Sequence, residues 1–220
     1  MFQAVLFDLD GTLANSLFDL ADCVNHALTK FGYPTRPVEN FRYYAGDGIT
    51  KMVERALPEQ HRSPETVAKV QEVFSARYAT HYSDKTAAYP GLCQLIDDLK
   101  ASGIKVAVVT NKAQAFAEIV VKKLYGSRFQ VILGMQPGIP AKPDPAGPFL
   151  VMKQLGVTPE QCAFIGDTAM DILAGVNAGA YPVGVLWGFR EKKELAEAGA
   201  KAFAANAEEL KTILLEHPKN

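Results

Sequence analysis

The chain alternates short runs of consecutive apolar residues with longer stretches in which apolar residues recur every three or four positions. The first run, residues 2–7, is rich in Val, Leu and Phe, which is typical of a strand buried on both faces. Further strands are predicted at residues 104–110, 129–133, 162–166 and 181–186. Because stretches with helical periodicity separate these runs, the pattern predicts an α/β fold with a parallel sheet covered by helices on both faces.

The stretch between residues 16 and 82 has helical periodicity and contains no run typical of a strand. From Leu17 to Phe31, for example, apolar residues recur at three- and four-residue spacing. Because the first strand precedes this stretch, we expect an all-α cap domain inserted into the α/β domain. The predicted domains are residues 1–15 and 84–220 for the α/β core and residues 16–83 for the helical cap.

The composition narrows the possible partners. The chain has 220 residues, is 48% hydrophobic and has a net charge of −1 without a basic block, so we expect no nucleic-acid partner. No stretch approaches the roughly 20 apolar residues of a membrane span, and the first run lacks the positive lead-in of a signal peptide. Cys23, Cys93 and Cys162 are far apart, which indicates reduced thiols of a cytoplasmic protein. A monomer and a homodimer both stay open.

The first apolar run ends in two carboxylates and a glycine, Asp8, Asp10 and Gly11. Alternate side chains of an extended chain share a face, so both carboxylates can point the same way. At about 4 Å and an effective dielectric near 20, their repulsion is on the order of 4 kcal/mol, which a proton, a lysine or a divalent metal must offset. Gly11 allows a sharp turn and the close approach of a ligand to the backbone. The alternative interpretation is a plain Asp-Gly turn after the strand.

Polar residues also follow later apolar runs. Ligands of open α/β sheets bind beyond the carboxyl ends of the strands, so these residues are predicted to converge on one edge. Each has a plain alternative as a helix cap, an exposed acid or a loop lysine. Together they suit Mg²⁺ and an anionic substrate. The residues are Thr110, Asn111 and Lys112 after one run, Lys142 in the loop after the next, and Asp167 and Asp171 after a third.

Four short motifs occur in order along the chain: Asp8-Leu9-Asp10-Gly11-Thr12, Thr110-Asn111, Lys142-Pro143 and Gly166-Asp167-Thr168-Ala169-Met170-Asp171. Their order, and the helical insertion after the first of them, resemble the haloacid dehalogenase-like phosphohydrolases over essentially the whole chain. Within that superfamily, residues 44–48, 109–112 and 187–189 are most similar to phosphoglycolate phosphatases. The resemblance implies a Rossmann-like α/β core with a helical cap and a small phosphorylated metabolite as partner.

The resemblance also implies a role for each matching residue in phosphoryl transfer. Asp8 would be the nucleophile and would form an aspartyl-phosphate. Asp10 would protonate the leaving alkoxide and then activate water. Thr110 and Lys142 would hold the phosphoryl oxygens.

The same resemblance implies a Mg²⁺ site that shares residues with the catalytic set. Asp8, the backbone carbonyl of Asp10 and Asp167 would be the ligands. Asp171 would support Lys142 or the metal. Oxygen donors of this kind are the ones that Mg²⁺ prefers in proteins.

The cap is predicted to select the substrate. The break at residues 46–48 could descend on the site, and a helix start at Ile49 offers free N–H groups to a small carboxylate. A plain helix–helix turn is the alternative interpretation of this break. The predicted substrate-binding residues are Gly11, Asn111, Lys112, Gly46, Asp47 and Gly48.

These expectations describe a Mg²⁺-dependent phosphatase of a small phosphomonoester, with 2-phosphoglycolate as the first candidate. The alternative is a sugar phosphomutase on the same scaffold, which would use Asp8 in the same way but return the phosphoryl group to the sugar. A non-catalytic binding protein is a third class, although every residue expected of the catalyst is present. Phosphate release without a bisphosphate primer would separate the first two.

Overall fold

The computed structural model of the protein describes residues 2–216. No helix within this range is long and apolar enough to cross a membrane. Its elements are, in chain order, β1 (Ala4–Phe7), β2 (Ala14–Asn15), α1 (Leu17–Lys30), α2 (Phe41–Tyr44), α3 (Ile49–Ala56), α4 (Pro64–His81), β3 (Ala87–Ala88), α5 (Leu92–Ala101), β4 (Lys105–Ala113), α6 (Gln114–Tyr125), β5 (Val131–Met135), α7 (Ala146–Leu155), β6 (Cys162–Gly166), α8 (Ala169–Asn177), β7 (Tyr181–Val185), α9 (Lys192–Glu197), β8 (Ala202–Ala204) and α10 (Ala207–Leu215).

The main sheet of the described chain has six parallel strands in the order β5–β4–β1–β6–β7–β8. β1 lies at its centre, where Ala4 is opposite Lys105 of β4 and Cys162 of β6. Every residue of β1 is buried. The uninterrupted apolar run therefore reflects a strand covered on both faces, and the predicted parallel α/β sheet is confirmed.

Side chains alternate between two apolar cores, one on each face of the sheet. Val5 and Phe7 of β1 pack in the core formed with α5, α6 and α10. Ala4 and Leu6 pack in the other core, with α7 and α8. Because alternate residues of a strand point to opposite faces, each central strand contributes to both cores. The sheet is thus held between two layers of helices, and its carboxyl edge carries the polar residues.

The helices α1–α4 enclose a separate apolar core that includes Phe41 and Phe74. Phe189, from the chain after β7, packs into it and Phe116 of α6 packs against it, so the sheet domain contributes side chains to the core of the helical cap. The expected all-α insertion is confirmed by this arrangement. Its boundaries at residues 16–83 stay a prediction. The outer ends of the predicted α/β core, residue 1 and residues 217–220, lie outside the described residues.

The two segments that join the cap to the sheet domain pair with each other. β2 and β3 form a short antiparallel ladder in which Ala14 is opposite Ala88. These strands are not predicted by the apolar pattern, because two residues are too few to show a period. The ladder fixes the place where the chain leaves the sheet domain and returns to it.

Several element ends differ from the predicted ones. β4 continues past residue 110 to Ala113, which is opposite Met135, because this segment extends along β5. β5 begins at Val131 rather than at residue 129, because Phe129 lies in the preceding loop, where its ring packs against those of Phe7 and Tyr125. The three-residue strand β8, at the edge of the sheet, was not predicted. β6 begins and ends where the sequence predicts.

A buried carboxylate anchors the segment that returns from the cap. Asp19, on α1, is 3% exposed. It accepts hydrogen bonds from the backbone N–H groups of Lys85 and Thr86 and from the Thr86 hydroxyl. These donors lie just before β3, so Asp19 connects the first helix of the cap to the chain that leaves its last helix.

We expect Asp19→Ala to lower the free energy of unfolding by about 1–3 kcal/mol, because buried N–H groups lose their acceptor. Asp22→Ala is the matched control on the same helix: Asp22 is 60% exposed in its ion pair with Arg77. Exposed pairs of this kind contribute about 0–1 kcal/mol. Urea unfolding followed by circular dichroism measures both variants. Equal losses would contradict the anchoring role of Asp19.

Candidate active site

The chain turns sharply where β1 ends, which brings Asp8 to the carboxyl edge of the sheet. The Leu9 carbonyl accepts the backbone N–H groups of residues 12–14 and closes the turn. Gly11 has a φ of +89°, and a Cβ at this position would lie 2.2 Å from Oδ2 of Asp167. Glycine is therefore needed here both for the backbone conformation and for the space that Asp167 occupies.

The ammonium of Lys142 lies between two buried carboxylates. Its Nζ is 2.5 Å from Oδ1 of Asp8 and 2.6 Å from Oδ1 of Asp171. Burial alone would lower the pKa of Lys142, but the Asp171 and Asp8 carboxylates outweigh burial and raise this pKa above its ordinary value. Oδ1 of Asn111 accepts the Lys142 N–H at 2.8 Å, and its Nδ2 donates to the Lys142 carbonyl at 3.2 Å. Asn111 thus fixes the backbone of Lys142, and the Asp8 and Asp171 carboxylates fix its ammonium group.

The two carboxylates after β6 are held by donors from different parts of the chain. Oδ2 of Asp171 accepts the backbone N–H and the hydroxyl of Thr168, which caps the start of α8. Asp167 accepts the Thr12 hydroxyl and the Phe189 N–H, each at 2.8 Å. Burial and the neighbouring Asp171 carboxylate raise the pKa of Asp167 well above its usual value. These contacts fix both carboxylates beside Asp8.

Carboxylate oxygens of Asp8, Asp167 and Asp171 lie within 4.8 Å of one another, and all three residues are buried. With the Lys142 ammonium, the ionised group would have an excess of two negative charges. Burial and the Asp171 carboxylate raise the pKa of Asp8 to about 6, as expected for carboxylates crowded away from water. This set of oxygen donors fits a divalent cation such as Mg²⁺, which would offset the excess charge.

A separate group of donors holds the carboxylate of Asp10. Nζ of Lys112 lies 3.0 Å and 2.9 Å from its two oxygens, and the Ser16 hydroxyl donates to Oδ1 at 2.6 Å. Burial alone would lower the pKa of Lys112, but the Asp10 carboxylate helps to raise this pKa above its ordinary value. The side chain of Asp10 is thus engaged outside the three-carboxylate cluster. Its predicted contribution to a metal site is through the backbone carbonyl.

Hydrogen bonds to backbone carbonyls join the cap to the rim of the site. Nδ2 of Asn111 donates to the carbonyl of Gly46 at 3.1 Å. Arg42, on α2 of the cap, donates to the backbone carbonyls of residues 188 and 189 in the sheet domain. The predicted cap loop, residues 46–48, therefore lies against the sheet domain next to the catalytic candidates.

A cavity lies between the cap and the carboxyl edge of the sheet. Its polar wall includes Asp8, Asp10, Thr110, Asn111 and Lys112, so five predicted site residues share one space. Most of the other walls are apolar and include Leu20, Ile49, Met52, Phe74 and Phe116.

The predicted substrate-binding residues divide into two groups. Gly46 and Gly48 line the cavity together with Asn111 and Lys112. Asp47 instead forms an ion pair with Arg55 on α3. Gly11 does not line the cavity, and its lack of a side chain leaves space for the Asp167 carboxylate. The loop therefore presents its two glycines, rather than its carboxylate, to the enclosed space. The binding roles of these residues stay predictions.

Comparison with known proteins identifies the family. The family model described as "Haloacid dehalogenase-like hydrolase" matches residues 5–185. The chain belongs to the haloacid dehalogenase-like hydrolases. It is 36% identical over 200 residues to a phosphoglycolate phosphatase of Psychrobacter arcticus, across 88% of this chain and 87% of the relative. It is 37% identical over 204 residues to one of Mannheimia succiniciproducens, across 89% of this chain and 91% of the relative.

Solved structures share the complete architecture of this hydrolase. A crystal structure from Lactobacillus delbrueckii subsp. bulgaricus has a TM-score of 0.92 and 31% identity, and the match covers 97% of this chain and 98% of that one. A predicted phosphoglycolate phosphatase from Haemophilus somnus has a TM-score of 0.88 and 27% identity, with 99% and 98% covered. The Rossmann-like α/β fold with a helical cap is thereby confirmed.

The hydrolase also has site residues that the sequence analysis missed. Thr12, which binds Asp167, belongs to the first motif, so its place in that motif is a usable signal. Tyr78 lines the cavity but belongs to the apolar positions of α4, where the helical pattern predicts only core packing. Its hydroxyl is buried and has no hydrogen-bond partner in residues 2–216, an arrangement that costs about 1–3 kcal/mol.

We expect Gly11→Ala to reduce phosphate release from 4-nitrophenyl phosphate by about 100-fold, because the new methyl group displaces Asp167 and distorts the site. Gly32→Ala is the matched control. Gly32 also has a positive φ, +72°, but a Cβ there would meet nothing within 4 Å. Both variants carry the backbone strain, so only Gly11→Ala should lose the activity. A similar loss in Gly32→Ala would mean that strain, rather than the contact with Asp167, is responsible.

Proposed function

We propose that this protein hydrolyses a small phosphomonoester with Mg²⁺ through an aspartyl-phosphate intermediate. The observation that carries the proposal is the buried Asp8 carboxylate, which contacts Lys142 and lies beside Asp167 and Asp171. A carboxylate nucleophile needs positive charge beside it to stabilise the transferring phosphoryl group. Membership of the hydrolase family and similarity to phosphoglycolate phosphatases support the same reaction.

In the first step, an oxygen of Asp8 attacks phosphorus, and the bond between phosphorus and the leaving oxygen breaks. Asp10 donates a proton to that oxygen, so the product leaves as a neutral alcohol. The Thr110 hydroxyl and the Lys142 ammonium bind the phosphoryl oxygens. Because Lys112 contacts both oxygens of Asp10, this contact must shift before Asp10 can reach the leaving oxygen.

In the second step, Asp10 takes a proton from water, and the water oxygen attacks phosphorus. The bond between phosphorus and Asp8 breaks, which restores the carboxylate and releases inorganic phosphate. The Ser16 hydroxyl donates to Asp10 in the resting site and positions it for both transfers. Dividing the displacement into two steps lowers the barrier that each must cross.

Asp8, the backbone carbonyl of Asp10 and Asp167 would hold Mg²⁺, and Asp171 would support Lys142. When bound, the ion supplies positive charge that offsets the carboxylates and stabilises the phosphoryl oxygens. The buried cluster of carboxylates supports this assignment. The hydrogen bonds from Thr12 and Phe189 would keep Asp167 in position.

Our first candidate for the substrate is 2-phosphoglycolate, because similar proteins of comparable length are named phosphoglycolate phosphatases. The alternative, a sugar phosphomutase, would return the phosphoryl group to a sugar and would depend on a bisphosphate primer. Release of inorganic phosphate without a primer is the expected result and separates the two functions. A cytoplasmic location, and the choice between a monomer and a homodimer, stay predictions.

We expect complete removal of divalent metal to abolish phosphate release, and Asp167→Asn to weaken Mg²⁺ binding by more than about 10-fold. Asp144→Asn is the control, because Asp144 is an exposed loop carboxylate close in sequence to Lys142. Titration calorimetry measures binding directly, and elemental analysis verifies that the metal is absent. Full turnover by metal-free protein would refute the metal requirement.

Asp8→Asn and Asp10→Asn should fail in different ways. Asp8→Asn should prevent formation of the phosphoenzyme from every substrate, because the nucleophile is lost. Asp10→Asn should slow the first step on ethyl phosphate by roughly 10²–10⁴-fold, since the alkoxide leaves without a proton. Release of 4-nitrophenolate needs little protonation, so it should be affected less.

Single-turnover kinetics of nitrophenolate release, with mass spectrometry of the intact protein, measure these effects. Without a base to activate water, Asp10→Asn should accumulate the phosphoenzyme, whereas Asp8→Asn should show none. Equal slowing of alkyl and aryl phosphates without a phosphoenzyme would mean that Asp10 is not the acid and base.

A further inference from the structure

Tyr78 is a polar residue of the cavity that the proposed mechanism does not use. It lies on α4 of the cap and is 1% exposed. Its ring stacks on Phe74 and meets Phe116 edge to face, so the phenol cannot rotate freely. All three rings line the cavity above Asp8 and Asp10. The side chain is therefore a fixed part of the wall that faces the reacting groups.

The Tyr78 hydroxyl has no hydrogen-bond partner among the described residues. The Lys112 ammonium lies 4.7 Å from the centre of the ring, and the two side chains interact electrostatically. Burial raises the pKa of Tyr78 to about 12, although Lys112 opposes this effect. The phenol is thus neutral at physiological pH and retains a proton to donate.

Other cationic side chains of the cap are engaged elsewhere. Arg55 pairs with Asp47, and Lys51 pairs with Glu54 at the surface. Arg42 binds backbone carbonyls after β7. The mostly apolar cavity that Tyr78 lines also includes Lys112 and Ile49, the first residue of α3, in its wall. The positive end of a helix dipole and an ammonium both favour a negatively charged ligand group.

We propose that the Tyr78 hydroxyl donates a hydrogen bond to a carboxylate oxygen on the organic part of the substrate and so determines specificity. This inference rests on the proposed phosphatase function and extends it to a substrate class, short phosphomonoesters that carry a carboxylate. The Lys112 ammonium lies 2.9 Å from an oxygen of Asp10 and 4.7 Å from the centre of the Tyr78 ring. Asp10 and Tyr78 therefore both lie next to Lys112. A carboxylate bound here would share the cavity with Asp10, which protonates the ester oxygen in the proposed mechanism.

The experiment compares 2-phosphoglycolate with ethyl phosphate, which has the same chain length but no carboxylate, and with 4-nitrophenyl phosphate. Tyr78→Phe should lower kcat/KM for 2-phosphoglycolate by about 10- to 100-fold, mainly through KM, as expected for loss of a hydrogen bond to a charged group. Its kcat/KM for the two substrates without a carboxylate should stay at the wild-type value. Because the hydroxyl has no hydrogen-bond partner within residues 2–216, the melting temperature should stay the same or rise.

Tyr125→Phe is the matched control. Tyr125 is also a buried tyrosine, but its hydroxyl donates to the Leu13 carbonyl at 2.7 Å and lies outside the cavity. This variant should melt at a lower temperature and keep the wild-type ratio of kcat/KM between 2-phosphoglycolate and ethyl phosphate. Comparing the two variants thus distinguishes the effect of losing a structural hydrogen bond from the effect of losing substrate recognition.

The outcomes distinguish this inference from the function on which it rests. If Tyr78→Phe slows all three substrates equally, or none of them, the specificity role of Tyr78 is wrong. If the wild-type protein releases phosphate from ethyl phosphate as efficiently as from 2-phosphoglycolate, carboxylate recognition is wrong while the phosphatase function stands. If it releases phosphate from none of the three, both proposals fail.

Discussion

The Lys142 ammonium, buried between the Asp8 and Asp171 carboxylates, is the interaction on which the site depends. A buried charge is tolerated only when partners replace the water that it has lost. Lys142 meets this condition through elements that are distant in sequence, because Asp8 follows β1, Asp171 lies in α8 and Asn111 of β4 holds its backbone. Removing one partner would leave charge uncompensated in the interior, so the same contacts that align the catalytic candidates also stabilise the sheet edge.

The cap is joined to that edge mainly through backbone acceptors. Arg42 reaches from the cap to carbonyls after β7, while Arg190 and Asn111 reach from the sheet domain to the carbonyls of Ala45 and Gly46. A carbonyl position is fixed by the path of the chain, so these bonds form only when the two loops have the right relative geometry. Since both domains contribute walls of the cavity, this closure defines the space available to a substrate.

The sequence predicts the sheet and its reactive edge because buried strands require apolar runs and parallel strands end at one edge. This pattern predicts Asp8, Thr110 and Lys112 as site residues, and all three line the cavity at this edge. The pairing of β2 with β3 is not predicted, since two residues show no period. Tyr78 was also missed, because periodicity indicates that a helical residue is buried but not whether its hydroxyl finds a partner. Such information depends on three-dimensional contacts between distant segments.

The two lysines of the site show how similar residues acquire different roles. Lys142 contacts two carboxylates, and its backbone is fixed by Asn111, so moving it would break several buried contacts at once. Lys112 contacts one carboxylate, that of Asp10, and otherwise faces the ring of Tyr78 at the cavity wall. An anionic group entering the cavity can replace Asp10 as its partner without leaving an ammonium unpaired. Substrate binding would then free Asp10 for proton transfer, which couples recognition at the cap to the chemistry at β1.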